Sequence, residues 1–482
     1  MNTHRTRRLS ILDPLLMTAA LVLSLVFLGG TAAMGCGGDA TGGSGEDAAG
    51  AEQLDAAATD DTAPLEPAPY ASAPGGWTSD PDRTPRAVHL TWQGDPSSTI
   101  TASWTTNVTD PAVYTPRLWV APKDEVDALG GEMPLREALV FEGVGENYQE
   151  SLLGEPTSDA VYVAWHAQAT GLEPDTEYAY RVGTWDEYDP VTGELHGAEL
   201  SEPHTFRTAP AKGTRQPLDF ILAGDSRGGY DDIRANMAKI AEFPSLVWVF
   251  NGDMNDVGLQ EEWNDWFGAM GPVVETRPLL PVHGNHEVFA GVFYAQFALP
   301  QEEGLSDDLQ EHAWSLDIGN VHLIGLDSNG ADAAEGSLAW LESDLIAATS
   351  DPDIDWVIAM MHHSAYSSSK HGQIQVVLDN FVPLFDQYEV DLVFSGHDHD
   401  YERSLPLRND EVAADGEGTV YIVAGSFFSP PYSAHESWWT AKSVDGEGGN
   451  FATLHVDGKT ATVTAYDGSG ETVLDTVTLT KP

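Results

Sequence analysis

The chain has 482 residues and a formal net charge of -54, from 76 acidic and 22 basic residues. That length sets an expectation of two or three domains, and 41% hydrophobic residues are enough for ordinary cores. The acidity makes nucleic acid and anionic membrane surfaces poor partners for the folded body, and the sole cysteine, Cys36, excludes an intrachain disulfide.

In chain order, Arg5, Arg7 and Arg8 precede a nearly continuous apolar run from Leu15 to Gly30, the pattern of an export signal. Thr6-Arg7-Arg8-Leu9-Ser10 faintly resembles a twin-arginine signal. Ala33-Met34-Gly35-Cys36 resembles a bacterial lipobox, so residues 1–36 are expected to end at a lipidated Cys36. A plain signal peptide and an uncleaved anchor are the alternatives. The lipidated reading places the protein in the periplasm or on the cell surface, with Cys36 as its only membrane contact. From Gly37 to Gly76 the chain is mostly Gly, Ala, Asp, Ser, Thr and Pro, with no Lys or Arg. Such a segment cannot bury enough apolar surface to fold, and residues 37–83 read as a tether.

Val88–Trp92, Thr99–Trp104, Arg117–Val120, Val161–Trp165 and Tyr178–Val182 then alternate with period two, separated by turns such as Gly171-Leu172-Glu173-Pro174-Asp175. This predicts a small β-sandwich over residues 84–210. From residue 215 onward, strands alternate with helices, which predicts an α/β domain. The strands are the apolar runs Leu218–Leu222, Leu246–Phe250, Val321–Leu326, Trp356–Met360, Asp391–Phe394 and Thr419–Val423. Ile233, Met237 and Ile240 follow helical spacing, as do Trp263, Trp266, Phe267 and Met270, and Leu338, Leu341 and Leu345. These stripes read as core. The tail from Phe451 to Lys481 returns to β alternation.

Five short motifs punctuate the α/β region: Gly-Asp-Ser-Arg at Asp225, Gly-Asp-Met-Asn-Asp at Asp253, Gly-Asn-His-Glu at Asn285, Met-His-His at His362, and Gly-His-Asp-His at His397 and His399. Four follow predicted strands, at the edge where open α/β sheets bind ligands. Glycines before Asp225, Asp253, Asn285 and His397 permit tight turns. One Gly-Asp pair alone is an ordinary cap; five motifs in order are a site. Oxygen donors mixed with imidazoles suit two borderline metal ions, and two such ions about 3.5–4 Å apart clamp a phosphoryl group.

The motif set resembles the signature of the calcineurin-like metallophosphoesterases, and Gly396-His397-Asp398-His399-Asp400-Tyr401-Glu402-Arg403-Ser404 is similar to the purple acid phosphatase branch. The resemblance runs from about Thr84 to the C-terminus. It implies a fibronectin type III-like β-sandwich followed by a four-layer α/β/β/α domain. It also implies two ions of Fe, Zn or Mn: Asp253 bridging, Asp225 and His399 on the first, and Asn285, His362 and His397 on the second. His286 would contact the phosphate or protonate the leaving alcohol. The implied substrate is a small phosphate monoester; a phosphodiesterase or nucleotidase, and a surface binding lipoprotein with a degenerate site, are the alternatives. Bound cations would invert the local field for an anionic ester.

Two positions depart from the pattern. Asp256 stands where the purple enzymes place a tyrosinate, and Arg227 where a histidine ligand is common in the wider superfamily. Asp256 is expected to hydrogen-bond His286 and raise its pKa, with a turn role as the alternative. Arg227 is expected to pair with a phosphate oxygen, or else to form a surface salt bridge. His363, His371 and Tyr366 resemble substrate-facing positions. Glu287 reads as a loop support, His283 as supporting or structural, and His312, His322, His435 and His455 as structural.

Overall fold

The computed structural model describes residues 82–482 apart from 108–113, 153–154, 158–159, 186, 189–194, 288–291 and 415. The expected signal, Cys36 and nearly all of the expected tether lie outside the described residues. Among those described, no helix is long and apolar enough to cross a membrane.

Alternating apolar residues build the N-terminal sandwich. One sheet has the strand order Asp82–Thr91, Thr99–Asn107, Tyr162–Thr170, Val144–Tyr148. The other has Glu199–Leu200, Glu177–Thr184, Arg117–Pro122, Leu139–Glu142, with His204–Arg207 also paired to Glu177–Thr184. Leu90, Ile100, Trp104, Leu118, Val120, Trp165 and Tyr180 fill its interior. Burying each large apolar side chain contributes about 1.5–3 kcal/mol.

The second domain holds two mixed sheets. The first runs Leu279–Pro281, Val247–Phe250, Leu218–Ala223, Asn450–Asp457, Thr460–Asp467, Val473–Thr480. The second runs Ala313–Ile318, Val321–Leu326, Trp356–Met361, Leu392–Ser395, Val420–Ala424, Tyr401–Ser404, Thr440–Val444. The strand Trp356–Met361 explains the layering. Trp356, Ile358 and Met360 join the core shared with the first sheet. Val357, Ala359 and Met361 join a separate core with Leu341, Leu345, Phe381 and Phe385 from the helices Ala331–Ser350, Gln375–Asn380 and Val382–Tyr388. A strand buried on both faces reads as a continuous apolar run. The helices Tyr230–Ile240 and Gln260–Val274 bring Ile233, Met237, Trp263 and Trp266 to the core of the first sheet. The layers are therefore α/β/β/α.

The β tail is part of this architecture. Asn450–Asp457 pairs antiparallel with Leu218–Ala223, with Leu218 opposite Val456 and Leu222 opposite Ala452. The chain end thus completes the sheet that carries the first motif. The two domains meet around His89, which stacks on Phe267 at 4.6 Å and contacts the Gln296 carbonyl through Nε2 at 2.7 Å. Tyr180 adds a hydrogen bond from its hydroxyl to the Glu275 carbonyl at 2.7 Å.

Candidate metal centre

The five motifs come from both sheets. Asp225 and Asp253 follow strands of the first sheet, and His362 and His397 follow strands of the second. The site is therefore not the edge of one open sheet but the place where two sheet edges converge. Asn251 Nδ2 donates to the Ser395 carbonyl at 3.2 Å, and the Phe427 N–H donates to the Gly224 carbonyl at 2.7 Å, tying the two edges together.

Asp225, Asp253 and His397 themselves take left-handed backbone angles, with φ of 56°, 54° and 70°. Such angles are uncommon outside glycine, and each costs on the order of 1 kcal/mol. Sequence reasoning assigns these turns to the preceding glycines. Only Gly252, with φ of 88°, fits that account. Gly284 and Gly396 are demanded by close approach: a Cβ on Gly284 would meet the Asp253 nitrogen at 2.2 Å, and one on Gly396 would meet Asp225 Oδ2 at 2.2 Å.

The donor atoms converge. His362 Nε2 lies 2.9 Å from Asn285 Oδ1, 3.2 Å from His397 Nδ1 and 3.3 Å from Asp253 Oδ1. His399 Nε2 lies 3.4 Å from Asp225 Oδ1. Asp225, Asp253 and His362 place one donor each within 4.8 Å of one another. Ligands about 2.0–2.2 Å from a common ion stand about 3.0–3.5 Å apart, so the spacing fits metal coordination. Backbone carbonyls fix the imidazoles. His362 Nδ1 donates to Asn251 O at 2.8 Å and His399 Nδ1 to Pro430 O at 2.6 Å, which leaves each Nε2 as the inward donor.

Asp225, Asp253, His362 and His399 are all fully buried. Burial opposes ionisation of Asp253, but His362, His286 and Arg227 hold its carboxyl well below the usual range. Burial likewise opposes a proton on His362, yet Asp253 and Asp225 raise its pKa to about 9. A cage that draws a proton this strongly also attracts a metal cation, which would displace that proton. His397 is held well below its ordinary value by burial and by His363 and His362 beside it, leaving it neutral as a ligand must be.

Arg227 sits inside this cage. Its Nε is 3.8 Å from Asp253 Oδ2 and has no hydrogen-bond partner among the described residues, while Nη2 is 3.4 Å from His399 Nε2. Nη1 contacts His286 Nε2. The guanidinium is largely buried among the expected ligands rather than out on the surface, with the buried Asp253 carboxylate and the half-exposed Asp256 carboxylate beside it. Asp256 also departs from expectation. His286 Nδ1 donates to the Asp256 backbone carbonyl, while the Asp256 carboxylate, half exposed, turns toward Arg227 Nη1 at 4.0 Å. The pKa of His286 is lowered rather than raised: burial outweighs Asp253, and Arg227 adds repulsion.

Glu287 supports the loops, accepting from the N–H groups of Gly284 and Asp253 at 2.8 Å each and Met254 at 2.5 Å. His371 is exposed, with its ring 4.2 Å from that of His397. His363 is buried beside the site, with one ring nitrogen within 4.8 Å of donors of His362 and His397, its ring 4.4 Å from that of His397, and Ser328 Oγ 2.9 Å from its Nδ1. Tyr366 is not substrate-facing. It packs with Tyr421 and Trp439 in the core beneath the helices, and its hydroxyl donates to Asp410 at 3.3 Å. Sequence reasoning passes over Tyr432, which stacks on His399 at 4.2 Å and 8° and carries Lys370 on its ring at 4.5 Å. Nothing in the composition of that loop distinguishes Tyr432 from neighbouring aromatic residues.

Residues 193–401 match the family model described as calcineurin-like phosphoesterase, and residues 85–208 match that of the purple acid phosphatase N-terminal domain. An uncharacterized protein of Mycobacterium tuberculosis is 32% identical over 316 residues, covering 54% of this chain and 57% of that protein. Purple acid phosphatase 21 of Arabidopsis thaliana is 28% identical over 298 residues, covering 58% of this chain and 63% of its own length. The chain thus spans less than two thirds of these relatives. Among solved structures, purple acid phosphatase PPD1 from yellow lupin (Lupinus luteus) seeds is similar with a TM-score of 0.64 and 17% identity, covering 83% of this chain and 74% of that one. PhoD is similar with a TM-score of 0.55 and 12% identity, covering 83% and 93%. At those identities the structural likeness establishes the fold.

Proposed function

We propose that this chain, which joins a purple acid phosphatase N-terminal domain to a calcineurin-like metallophosphoesterase domain, hydrolyses phosphate monoesters at a dinuclear metal site. The observation that carries the reading is the convergence of His362 on Asn285, His397 and Asp253 at 2.9–3.3 Å, with both buried carboxylates beside it. Asp225 and His399 would hold one ion, Asn285, His362 and His397 the other, and Asp253 both. When bound, two such ions supply an acidified water as nucleophile and neutralise phosphoryl charge. Their identity among Fe, Zn and Mn follows availability as much as this N/O donor set.

The chain's own groups then position and neutralise. Arg227 turns its guanidinium into the same cage and would take a phosphoryl oxygen through its paired N–H groups. A monoester dianion gains more from that cation than a diester monoanion does. His286, held by the Asp256 carbonyl and by Arg227, stands at the rim and would meet the leaving oxygen. The N–H of His286 also donates to Asp253 Oδ1 at 3.0 Å, which couples its position to the metal donors.

The test is hydrolysis of p-nitrophenyl phosphate and bis(p-nitrophenyl) phosphate by the full-length chain, with metals counted on the same sample. Two equivalents and chelator-sensitive turnover of the monoester support the reading. Preference for the diester would move it to a phosphodiesterase. Absence of turnover after loading with Fe, Zn or Mn would leave a binding protein. Export and lipid anchoring at Cys36 belong to the same proposal, supported by Arg5, Arg7, Arg8 and the apolar run that follows. Mass spectrometry of the mature N-terminus tests them: a start at any residue other than a lipidated Cys36 rejects the anchor.

A further inference from the structure

His283 has no good hydrogen-bonding arrangement although it is only 5% exposed. Among the described residues its Nε2 has no hydrogen-bond partner. Among the described residues its Nδ1 makes long contacts, 3.4 Å to the Tyr294 hydroxyl and 3.5 Å to Asp327 Oδ2. The nitrogen that faces Asp327 and Tyr294 is Nδ1, and contacts of that length leave it poorly satisfied for a buried imidazole, which an ion beside it would explain. The surroundings supply it. His312 Nδ1 lies 2.5 Å from the same Asp327 oxygen, a hydrogen bond that an ion would replace and widen, and the ligand atoms of His283, His312 and Asp327 all lie within 4.8 Å of one another. The Tyr294 hydroxyl is 3.0 and 2.9 Å from the two ring nitrogens of His312 and can bond only one of them at a time. The other Asp327 oxygen is occupied: it accepts from the N–H and from Nδ2 of Asn329, both at 2.8 Å, which fixes the carboxylate with Oδ2 facing the imidazoles.

We propose that His283, His312 and Asp327 bind a separate zinc-class divalent cation, with the Tyr294 hydroxyl lining the fourth side. Two imidazoles and one carboxylate are a three-ligand set that zinc favours. A pure hydrogen-bond network accounts for His312 on Asp327 but leaves His283 unexplained. The His312 side chain, about a quarter exposed at 24%, gives the ion an entry path.

The placement suggests what the ion does. His283 lies two residues before Asn285, and Asn329 Nδ2 donates to the His283 carbonyl at 2.9 Å. Ser328, between Asp327 and Asn329, accepts from the N–H of His363 at 3.0 Å. The ion would clamp the loop bearing Asn285 and His286 to the end of the strand Val321–Leu326. His283, His312 and Asp327 are positioning residues, not catalytic ones.

The test counts ions rather than turnover, so it is independent of the hydrolase reading. Purified full-length chain is loaded with zinc(II), desalted and analysed for metal, beside His312→Ala checked for folding by circular dichroism. One equivalent fewer in the variant is expected, and equal stoichiometry overturns the proposal. A second measurement covers a variant that fails to fold. Cobalt(II) is titrated into a chain carrying Asp253→Ala and His362→Ala, which damages the candidate centre. One bound equivalent with the visible band of four-coordinate cobalt(II) is expected; no bound equivalent overturns the proposal.

Discussion

The backbone N–H of His397 donates to both carboxylate oxygens of Asp225, at 3.1 and 3.0 Å, joining a turn of one sheet to a turn of the other. Asp225 therefore serves two purposes, as an expected metal donor and as the clasp between the sheets. Asp225→Asn keeps the shape but removes the charge. Metal analysis is expected to show at least one equivalent lost, and kcat for p-nitrophenyl phosphate to fall by at least about 100-fold. An intact metal count would remove Asp225 from the ligand set.

Arg227 has a signature distinct from that of a ligand. On the proposed reading, Arg227→Ala would delete a cation from the phosphoryl side without deleting a donor, so metal content is expected to hold while KM for the monoester rises by about 10-fold or more. Arg227→Lys keeps the charge but not the fork and is expected to recover only part of the loss. Steady-state kinetics with both esters check this. An equal change for mono- and diester would mean that Arg227 does not read the dianion.

Much of this candidate site is legible in the sequence, and the reason is local. Each motif couples a glycine to a ligand-type side chain just past an apolar run, and that pattern survives whatever the sheet order is. The sheet order itself was not legible. Apolar runs such as Leu218–Leu222 and Trp356–Met360 look alike, because strands buried on both faces carry no alternation to say which sheet they join. Pairing of Asn450–Asp457 with Leu218–Ala223 is a contact across more than two hundred residues that no local pattern encodes. Side-chain direction was equally hidden. Asp256 stands at a suggestive offset, yet its carbonyl rather than its carboxylate meets His286. Tyr366 sits in a loop of candidate substrate residues, yet the helix-side core claims it.

Gly396 offers a test of close approach that is separate from ligand chemistry. Its position permits no Cβ, which would fall 2.2 Å from Asp225 Oδ2. Gly396→Ala must push apart the two loops that His397 and Asp225 hold together. A destabilisation of about 1–3 kcal/mol is expected from such overpacking, together with reduced metal retention, although no donor is altered. Thermal denaturation and metal counting after dialysis are the measurements. Unchanged metal retention would show that the loops can part without opening the site.

His322, read from the sequence as structural, links stability to pH. It lies in the second sheet between two carboxylates, with Nδ1 2.7 Å from Asp317 and Nε2 2.8 Å from Asp344. Burial disfavours its charged form, but Asp317 and Asp344 outweigh burial and raise its pKa from 6.5 to about 9. A group whose pKa is raised by folding stabilises the fold in its protonated form. That contribution is fully present below pH 6.5 and is lost as pH climbs through about 9. It amounts to a few kcal/mol, since each unit is worth about 1.4 kcal/mol. The thermal midpoint is therefore expected to fall between pH 7 and pH 9.5. His322→Gln is expected to lower the midpoint at pH 6 and to flatten its dependence above pH 7. Parallel pH profiles for the two proteins would show that His322 is neutral in the folded chain and that its two carboxylates are held by other means.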